Sequence, residues 1–405
     1  MKKKYLIIAD DLTGSNDSGV QMKKRGIPVD VLLFPKKGSI DNSIVLDTES
    51  RNLPKEDAFQ KVKRLTSEVL EYNQFDIVYK KVDSTLRGNI AVEVKAVCDI
   101  YKPTKVVFAP AYPKIGRTTQ NKIHMLSGTP LMQTEVANDP LSPIKTDNIV
   151  ELLENELKVK VIHHSQKSLY EDVDILNGGV FHTFDILTTA DILKLASILI
   201  NTNERILYVG SAGLTEGIFE NIYPVAPVLS VVGSISEASR NQMNYAEKNG
   251  VEVIQIDIES IFDKKRYPDY TEKIVDALNS KKDVILTACR TREEYAATIA
   301  YAEKQKGLSK IDSSTFVQNS LSSITKGVLE SVDVSGLFLT GGDTAIAVID
   351  KLEGTGCTIE AEVLTGIIKS KLIGGKYDGT NLITKAGAFG KEEDLLYCIG
   401  KLKEK

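Results

Sequence analysis

The stretch Tyr5-Leu6-Ile7-Ile8-Ala9-Asp10-Asp11-Leu12-Thr13-Gly14 joins a short, uninterrupted apolar run to a polar loop. The same order recurs along the chain, with apolar runs at Ile77–Tyr79, Val284–Leu286 and Gly336–Leu339 that each lead into polar or small residues. Between such runs lie helical patterns, such as Pro54–Tyr72, in which apolar residues return every three or four positions. Alternating strands and helices predict an α/β fold with mainly parallel sheets, and uninterrupted apolar strands are typical of sheets covered on both faces.

The length of the chain predicts two domains. Its 405 residues exceed the roughly 100–200 residues of an ordinary domain. In Tyr223-Pro224-Val225-Ala226-Pro227, two closely spaced prolines interrupt the alternation, which restarts after them. We therefore expect two doubly wound α/β domains, residues 1–225 and 226–405, that face a cleft, the usual place for a small-molecule site.

Composition argues against several classes of function. With 51 Lys and Arg against 55 Asp and Glu, the formal net charge is −4, which offers no general attraction for nucleic acid or an anionic membrane. The 4 Cys are scattered without zinc-site spacing, and no apolar run approaches the roughly 18 residues of a membrane span. We expect a cytoplasmic protein that acts on small molecules, not on nucleic acid or membranes, and a homodimer, the commonest oligomeric state.

Charged residues follow the predicted strands of the N-terminal half. Ligands of parallel sheets bind beyond the carboxyl ends of the strands, so these residues are candidates for a binding site. Arg can grip a carboxylate with two hydrogen bonds, Asp accepts hydrogen bonds from hydroxyls, and Lys supplies a point charge. The set therefore predicts a small, anionic, polyhydroxylated ligand, although each single Asp could instead cap the following helix. The candidates are Asp10, Asp11, Lys81, Asp83, Arg87, Gly88, Arg117 and His124.

Glycine and hydroxyl residues follow three predicted strands of the C-terminal half. Glycine lets the backbone approach a ligand closely, and the start of a helix offers oriented N–H groups to phosphate. A single Gly-Gly pair is more typical of a structural turn, but three such loops in one domain predict a nucleotide-phosphate site. Neither standard phosphate-binding fingerprint is present. The loops are Gly233-Ser234-Ile235-Ser236, Thr340-Gly341-Gly342-Asp343-Thr344 and Lys385-Ala386-Gly387-Ala388-Phe389-Gly390.

A set of short segments is spread in order over nearly the whole chain: Ala9–Gly14, Lys80–Gly88, Pro110–Pro113, Gly116–Thr118, Asn138–Pro140, Gly210–Leu214, Gly233-Ser234, Thr340–Thr344 and Thr384–Gly390. In these segments, and over nearly its whole length, the sequence resembles the four-carbon acid sugar kinase family. The resemblance implies an N-terminal acid-sugar domain, a C-terminal nucleotide domain and ATP-dependent phosphorylation of the terminal hydroxyl of a tetronate such as threonate, erythronate or 3-oxo-tetronate. Lys122 departs from the family pattern, which has Gly before the His.

The resemblance also implies roles for individual residues. We expect Asp11 to accept the substrate proton, with Asp83 as the second choice, because phosphoryl transfer needs a proton acceptor as well as alignment. Asp10, Lys81, Arg87, Gly88, Arg117 and His124 are expected to bind the sugar acid. ATP is expected at Ser234, Gly341, Gly342, Asp343, Thr344 and Gly387. Asp343 either contacts Mg²⁺ on the nucleotide or caps the following helix.

Two other functions remain open from the residues alone. Two α/β lobes also suit a sugar-acid binding or sensor protein, which would bind the ligand without turnover. A nicotinamide-dependent oxidoreductase is a further alternative, against which the absent dinucleotide fingerprint argues. Substrate-dependent release of ADP distinguishes the kinase from both.

Overall fold

The computed structural model describes residues 3–35, 37–171 and 174–404. Between Pro224 and Val225 the chain divides into two compact units, each with its own sheet and apolar cores. The strands of the N-terminal unit are β1 (Tyr5–Ala9), β2 (Val29–Leu32), β3 (Ser43–Asp47), β4 (Ile77–Lys81), β5 (Lys105–Ala109), β6 (Arg117–Gln120), β7 (Ile123–Leu126), β8 (Thr129–Pro130), β9 (Val161–His164), β10 (Phe181–Phe184) and β11 (Ile206–Gly210). Its α-helices are α1 (Leu12–Lys23), α2 (Lys55–Tyr72), α3 (Ile90–Tyr101), α4 (Ile149–Leu157), α5 (Thr189–Ile200) and α6 (Ala212–Ile222).

The main sheet of the N-terminal unit is parallel and has the strand order β2-β3-β1-β4-β11-β5-β10-β9. After β1 the chain adds β2 and β3 on one side and then crosses to β4 on the other, so the winding reverses between β1 and β4. Side chains of a strand alternate between faces: Leu6 and Ile8 pack with α2, α3 and α4, whereas Tyr5 and Ile7 pack with α1, α5 and α6. Ligands bind such sheets at the carboxyl edge where the winding reverses.

The C-terminal unit repeats this plan. Its strands are β12 (Val228–Val232), β13 (Glu252–Gln255), β14 (Val284–Thr287), β15 (Gly336–Thr340), β16 (Gly356–Leu364), β17 (Ile367–Ile373) and β18 (Asn381–Lys385). Its α-helices are α7 (Glu237–Lys248), α8 (Ile258–Phe262), α9 (Tyr267–Asn279), α10 (Arg292–Lys306), α11 (Lys310–Ser331), α12 (Gly342–Lys351) and α13 (Asp394–Lys403).

The C-terminal sheet has the order β13-β14-β12-β15-β18-β17-β16, and only the pairs made by β17 are antiparallel. Helices α9, α11 and α12 cover one face, and α7 and α13 cover the other. The winding reverses between β12 and β15, which places the loops after these two strands at the edge where ligands bind.

The predicted fold class, two doubly wound α/β units with mainly parallel sheets, is confirmed. The sequence patterns do not predict the small antiparallel sheet β6-β7-β8. The strand predicted to end at Tyr79 continues to Lys81, so Lys80 and Lys81 lie in β4 and not in the loop after it. In the part of the chain described here, no helix is both long enough and apolar enough to cross a membrane.

Candidate active site

A polar cluster of Asp10, Asp11, Arg51 and Asp83 lies at the carboxyl ends of β1 and β4, and Arg51 is at its centre. Its Nε and Nη2 donate to Asp10 Oδ2 and Oδ1 at 2.7 and 3.0 Å, and its Nη1 donates to Asp11 Oδ2 at 2.6 Å. A planar guanidinium that bridges two carboxylates fixes the orientation of both. Arg51 is absent from the predicted site residues, although it lies just after β3, a direct neighbour of β1.

Asp11 both caps a helix and belongs to this cluster. Its Oδ1 accepts a hydrogen bond from the backbone N–H of Gly14 at 3.0 Å, which makes Asp11 the N-cap of α1. The helix-cap interpretation of Asp11 is confirmed, and its other oxygen pairs with Arg51, so the cap does not by itself exclude a role at the site. The side chain of Asp11 is 24% exposed, whereas that of Asp10 is 2% exposed. Of these two carboxylates, Asp11 is the one that an incoming ligand can reach.

Asp83 and Arg87 form a two-pronged ion pair on the loop after β4. Arg87 Nε and Nη2 donate to the carboxylate oxygens of Asp83 at 2.9 and 3.1 Å, and Arg87 Nη1 donates to Asp139 at 3.2 Å. Burial alone would raise the pKa of Asp83, but hydrogen bonds from Arg87 and Thr85 outweigh it and hold that pKa well below its usual range. Asp83 is therefore a firmly ionised and weakly basic group.

Lys80, the first of the two lysines that end β4, forms a buried ion pair. Its Nζ lies 2.8 Å from Glu93 Oε2 on α3 and donates to the carbonyl of Lys81 at 2.8 Å. The other oxygen of Glu93 accepts a hydrogen bond from Ser50 Oγ at 2.7 Å. Because Ser50 precedes Arg51, this buried network supports the segment that carries the Arg51 side chain.

Lys81 is buried beside the start of α1. Its Nζ donates to the carbonyl of Val82 at 3.0 Å, and no carboxylate of the described residues forms a salt bridge with it. Burial lowers the pKa of Lys81, and the charges of Asp10, Asp83 and Asp11 oppose that shift. An ammonium group has three N–H donors, so Lys81 retains donors for an anionic ligand.

A cavity of about 460 Å³ opens beside this cluster. Arg51, Gly88 and the first turn of α3 line one side, and the segment 141–146 lines another. Gly88, one of the predicted substrate residues, lies next to Arg51 in the wall of this cavity.

Both His124 and Arg117 lie in the small antiparallel sheet, but only His124 contacts the loop after β4. His124 is fully buried between Thr119 Oγ1 (2.9 Å from Nδ1) and the carbonyl of Ser84 (3.0 Å from Nε2). Burial lowers the pKa of His124 to about 4, so the neutral ring donates to Ser84 and holds the Asp83 loop. Arg117 donates to the carbonyl of Ile115, and among the described residues it makes no salt bridge with the cluster carboxylates.

Asp47, the last residue of β3, is a buried carboxyl with an unsatisfied oxygen. Its Oδ1 accepts the N–H of Glu49 at 3.0 Å, while Oδ2 has no hydrogen-bond partner among the described residues. Burial, together with the nearby charges of Glu49 and Asp11, raises the pKa of Asp47 to about 6. This carboxyl is 1% exposed and cannot itself contact a ligand.

Replacing Asp47 by Asn is expected to stabilise the protein above pH 6. A carboxyl whose pKa is higher in the folded chain adds most stability below its ordinary pKa of 3.8 and loses that contribution as the pH rises through about 6. A difference of about two pKa units corresponds to about 3 kcal/mol, so the Asn variant should gain about 3 kcal/mol at pH 8 and little at pH 4. Urea unfolding at both pH values measures this, with the exposed Asp333→Asn as control; an equal effect at both pH values would contradict it.

Three loops converge at the carboxyl edge of the C-terminal sheet. An added Cβ at Gly233 would overlap Thr344 Oγ1, and one at Gly387 would overlap Ser234 Oγ. Glycine is therefore required at both positions for the loops after β12, β15 and β18 to approach one another. Gly341, with φ of 96°, turns the chain from β15 into α12. The structure thus brings Ser234, Gly341, Thr344 and Gly387 together.

The start of α12 is open to solvent. Gly341 occupies the N-cap position without a side chain, and a Cβ at Gly342 would have no atom within 4 Å. The amides of the first helical turn consequently face an unfilled space, which suits a phosphate group. Asp343 is exposed in this first turn, and Thr344 is buried beneath it.

Within the described ranges, no three His, Cys, Asp or Glu side chains are arranged to hold a metal ion. Mg²⁺ at phosphate-transfer sites is usually held by one or two carboxylates together with substrate phosphates and water. The exposed Asp343 at the start of α12 fits that simpler requirement.

Comparisons with known proteins agree with the difference between the charged loops of the N-terminal unit and the glycine-rich loops of the C-terminal unit. Residues 5–218 match the family model described as a sugar-binding N-terminal domain, and residues 229–395 match a nucleotide-binding C-terminal domain. The chain is 32% identical to a D-threonate kinase from Salmonella typhimurium, covering 98% of this chain and 99% of that protein. It is 26% identical to a D-erythronate kinase from Heliobacterium modesticaldum, covering 99% of this chain and 97% of that protein.

A solved structure shares the fold over the full length. It is a domain of unknown function from Bordetella bronchiseptica, determined with bound citrate as a domain-swapped dimer. It matches with a TM-score of 0.61 and 25% identity and covers 99% of both chains. Together with the two family models, these relatives show that the chain belongs to the four-carbon acid sugar kinase family.

Proposed function

We propose that this protein is an ATP-dependent kinase that phosphorylates the terminal hydroxyl of a four-carbon sugar acid. The observation that carries the proposal is that the two units have different side chains at the sheet edges where their winding reverses. Buried Lys and Asp groups occupy the one in the N-terminal unit, and glycine and hydroxyl loops occupy the one in the C-terminal unit. The first suits an anionic polyol, and the second suits the phosphates of a nucleotide.

Lys81 is the group we assign to the substrate carboxylate. Its buried ammonium has N–H donors that no described carboxylate takes up. A bound anion would therefore neutralise a positive charge that is buried without a partner. Arg87, by contrast, is already held by Asp83 and Asp139. Arg87 would therefore shape the loop that carries Gly88, and it would reach the substrate only by exchanging a carboxylate partner.

Asp11 is the better candidate for the proton acceptor. Asp83 receives hydrogen bonds from Arg87 and Thr85, and its depressed pKa makes it a poor base. Asp11 is more exposed than Asp10 and is held in a fixed orientation by Arg51 and by the N-terminus of α1. A carboxylate in this setting can accept the proton that the substrate hydroxyl loses as phosphoryl transfer proceeds.

The nucleotide phosphates are assigned to the loops of the C-terminal unit. The amides at the start of α12 face open space at Gly342, and the hydroxyls of Ser234 and Thr344 belong to the loops that Gly233 and Gly387 allow to approach. Asp343 would hold Mg²⁺ on the nucleotide, where the ion neutralises phosphate charge. We also propose a cytoplasmic location, where ATP is available, and a homodimer, because the Bordetella relative is a dimer.

The test is to incubate the purified chain with ATP, Mg²⁺ and a panel of D-threonate, D-erythronate and 3-oxo-tetronate, and to follow ADP release. The expected result is ADP release that depends on one of these acids. Tight binding of an acid without turnover would favour the binding-protein alternative. Reduction of a nicotinamide cofactor by any of the acids would favour the oxidoreductase.

Replacing Gly342 by Ala is expected to weaken ATP binding by about tenfold or more, because the methyl group would occupy the space assigned to a phosphate oxygen and displace its hydrogen bonds. Since no atom lies within 4 Å of the new Cβ, the unliganded fold should keep its thermal stability. Gly400→Ala in α13 is the matched control, because its Cβ is equally unobstructed. Calorimetric titration with ATP checks both variants, and an unchanged affinity of the Gly342 variant would contradict the assignment.

A further inference from the structure

We propose that Lys385 is the positioning residue of the phosphate loop after β18, an inference that rests on the proposed nucleotide site. Lys385 ends β18 and is 3% exposed. Its ammonium group would orient the backbone of residues 386–390 and supply a buried positive charge. It is not one of the groups assigned above to direct contact with phosphate.

The contacts of the Lys385 ammonium are nearly all backbone carbonyls of the following loop. Its Nζ donates to the carbonyls of Ala386 (3.1 Å), Gly387 (3.0 Å) and Phe389 (3.0 Å), and it lies 3.4 Å from Ser239 Oγ. No carboxylate of the described residues makes a salt bridge with it. The side chain therefore gathers three peptide oxygens around a buried positive charge that is not neutralised.

This arrangement determines where the loop amides point. In a planar trans peptide the N–H is directed opposite to the C=O. When the carbonyls of Ala386, Gly387 and Phe389 turn towards the ammonium, the N–H groups of Gly387, Ala388 and Gly390 turn away from it. Across the described ranges, these three amides have no hydrogen-bond acceptor. Successive unpaired N–H groups on a glycine-rich loop form an anion-binding concavity.

The position of the loop connects this concavity to the other phosphate loops. β18 pairs with β15, with Lys385 opposite Thr340, and the amide of Gly341 donates to the carbonyl of Lys385 at 3.3 Å. Gly387 is in contact with Ser234. The amides that Lys385 orients therefore lie beside the start of α12, and its charge lies beneath both loops.

The charge of Lys385 depends on pH in an accessible range. Burial lowers the pKa of Lys385 to about 8, and Cys398 and Asp394 on α13 oppose that shift. Burial raises the pKa of the Cys398 thiol to about 12. The Asp394 carboxylate accepts a hydrogen bond from the backbone N–H of Lys391. Ser239 and Gln242 face the same loop from α7 and carry no charge. The neutral amine has two N–H donors for three carbonyls and carries no charge, so nucleotide binding should weaken as the pH rises through the pKa.

The experiment measures ATP affinity of the full chain by calorimetric titration, without sugar acid, between pH 7.5 and 9.5. Lys385→Met is expected to raise the Kd by about 10- to 100-fold at pH 7.5, because hydrogen bonds to a charged group are lost. Its Kd should also lose the pH dependence seen in the parent chain. Lys385→Arg, which keeps the charge, should recover much of the affinity and remain insensitive to this pH range.

Matched measurements separate this inference from the proposed function and from simple unfolding. Lys376→Met, on the turn at the opposite end of β18, should bind ATP like the parent chain. Circular dichroism and sugar-acid binding by the Lys385 variants identify any loss of fold. If the parent chain does not bind ATP, the nucleotide proposal fails. If the parent binds ATP and a folded Lys385→Met variant binds it equally well with the same pH profile, the role of Lys385 is overturned.

Discussion

Replacing Asp11 by Asn is expected to lower kcat by about 10²–10⁴-fold with saturating ATP and sugar acid, the usual contribution of a positioned general base. The KM for the sugar acid should change little, because Lys81 is untouched by the substitution. Asn is as good an N-cap as Asp, so α1 should begin at the same residue. Steady-state kinetics with the acid that gives ADP release checks the prediction.

Asp83→Asn provides the comparison that assigns the proton acceptor. The Asp83 carboxylate holds Arg87 with two hydrogen bonds, so its loss should disorder the loop that carries Gly88 and mainly raise the KM. Nearly normal turnover in Asp11→Asn, together with a large loss of kcat in Asp83→Asn, would transfer the role to Asp83. Thermal unfolding of both variants shows whether either loss reflects the fold.

Replacing Lys80 by Met is expected to destabilise the protein by about 3–5 kcal/mol, because the Glu93 carboxylate would remain buried without its partner. Both side chains are at most 1% exposed, and their nitrogen and oxygen lie 2.8 Å apart. Urea unfolding followed by circular dichroism measures the loss. The same variant should also lower activity, because Glu93 accepts a hydrogen bond from Ser50, the residue before Arg51.

Two further variants test this explanation of the Lys80 effect. The double variant Lys80→Met/Glu93→Leu removes both charges and should recover much of the lost stability, since apolar side chains can replace a buried ion pair. Lys63→Met breaks a partly exposed pair with Asp99 on the neighbouring helices, and it should cost about 1 kcal/mol or less. Equal losses from Lys80→Met and Lys63→Met would contradict the proposed cost of burial.

The sequence predicts the fold class and the family because its local signals agree with the global structure. The apolar run Tyr5–Ala9 is followed at once by Asp10 and Asp11, and this order places charge at the carboxyl edge of any parallel sheet. The glycine loops after β12, β15 and β18 are equally local features. The roles of the individual residues stay predictions that the experiments above must test.

What the sequence does not reveal depends on contacts between distant segments. Arg51 follows β3 without any special motif, and its importance appears only when strand order places β3 beside β1. In the sequence Lys80 has the appearance of a charged loop residue, and only the structure shows that Glu93 on α3 neutralises it. Lys385 likewise is an ordinary strand-end lysine in the sequence, and only the folded loop wraps three carbonyls around it.

The loops after β12, β15 and β18, which we assign to phosphate, lie at one edge of the C-terminal sheet and leave the other edge available for chemical labelling. Cys357 lies at the start of β16, which is parallel to β18, so it is at the end of the sheet away from those loops. Of the four cysteines, all within the described residues, Cys357 is the exposed one, while Cys98 is partly covered and Cys289 and Cys398 are buried. A thiol-reactive fluorophore should therefore attach selectively to the unaltered chain at Cys357 and give an optical signal from the C-terminal unit without blocking nucleotide access.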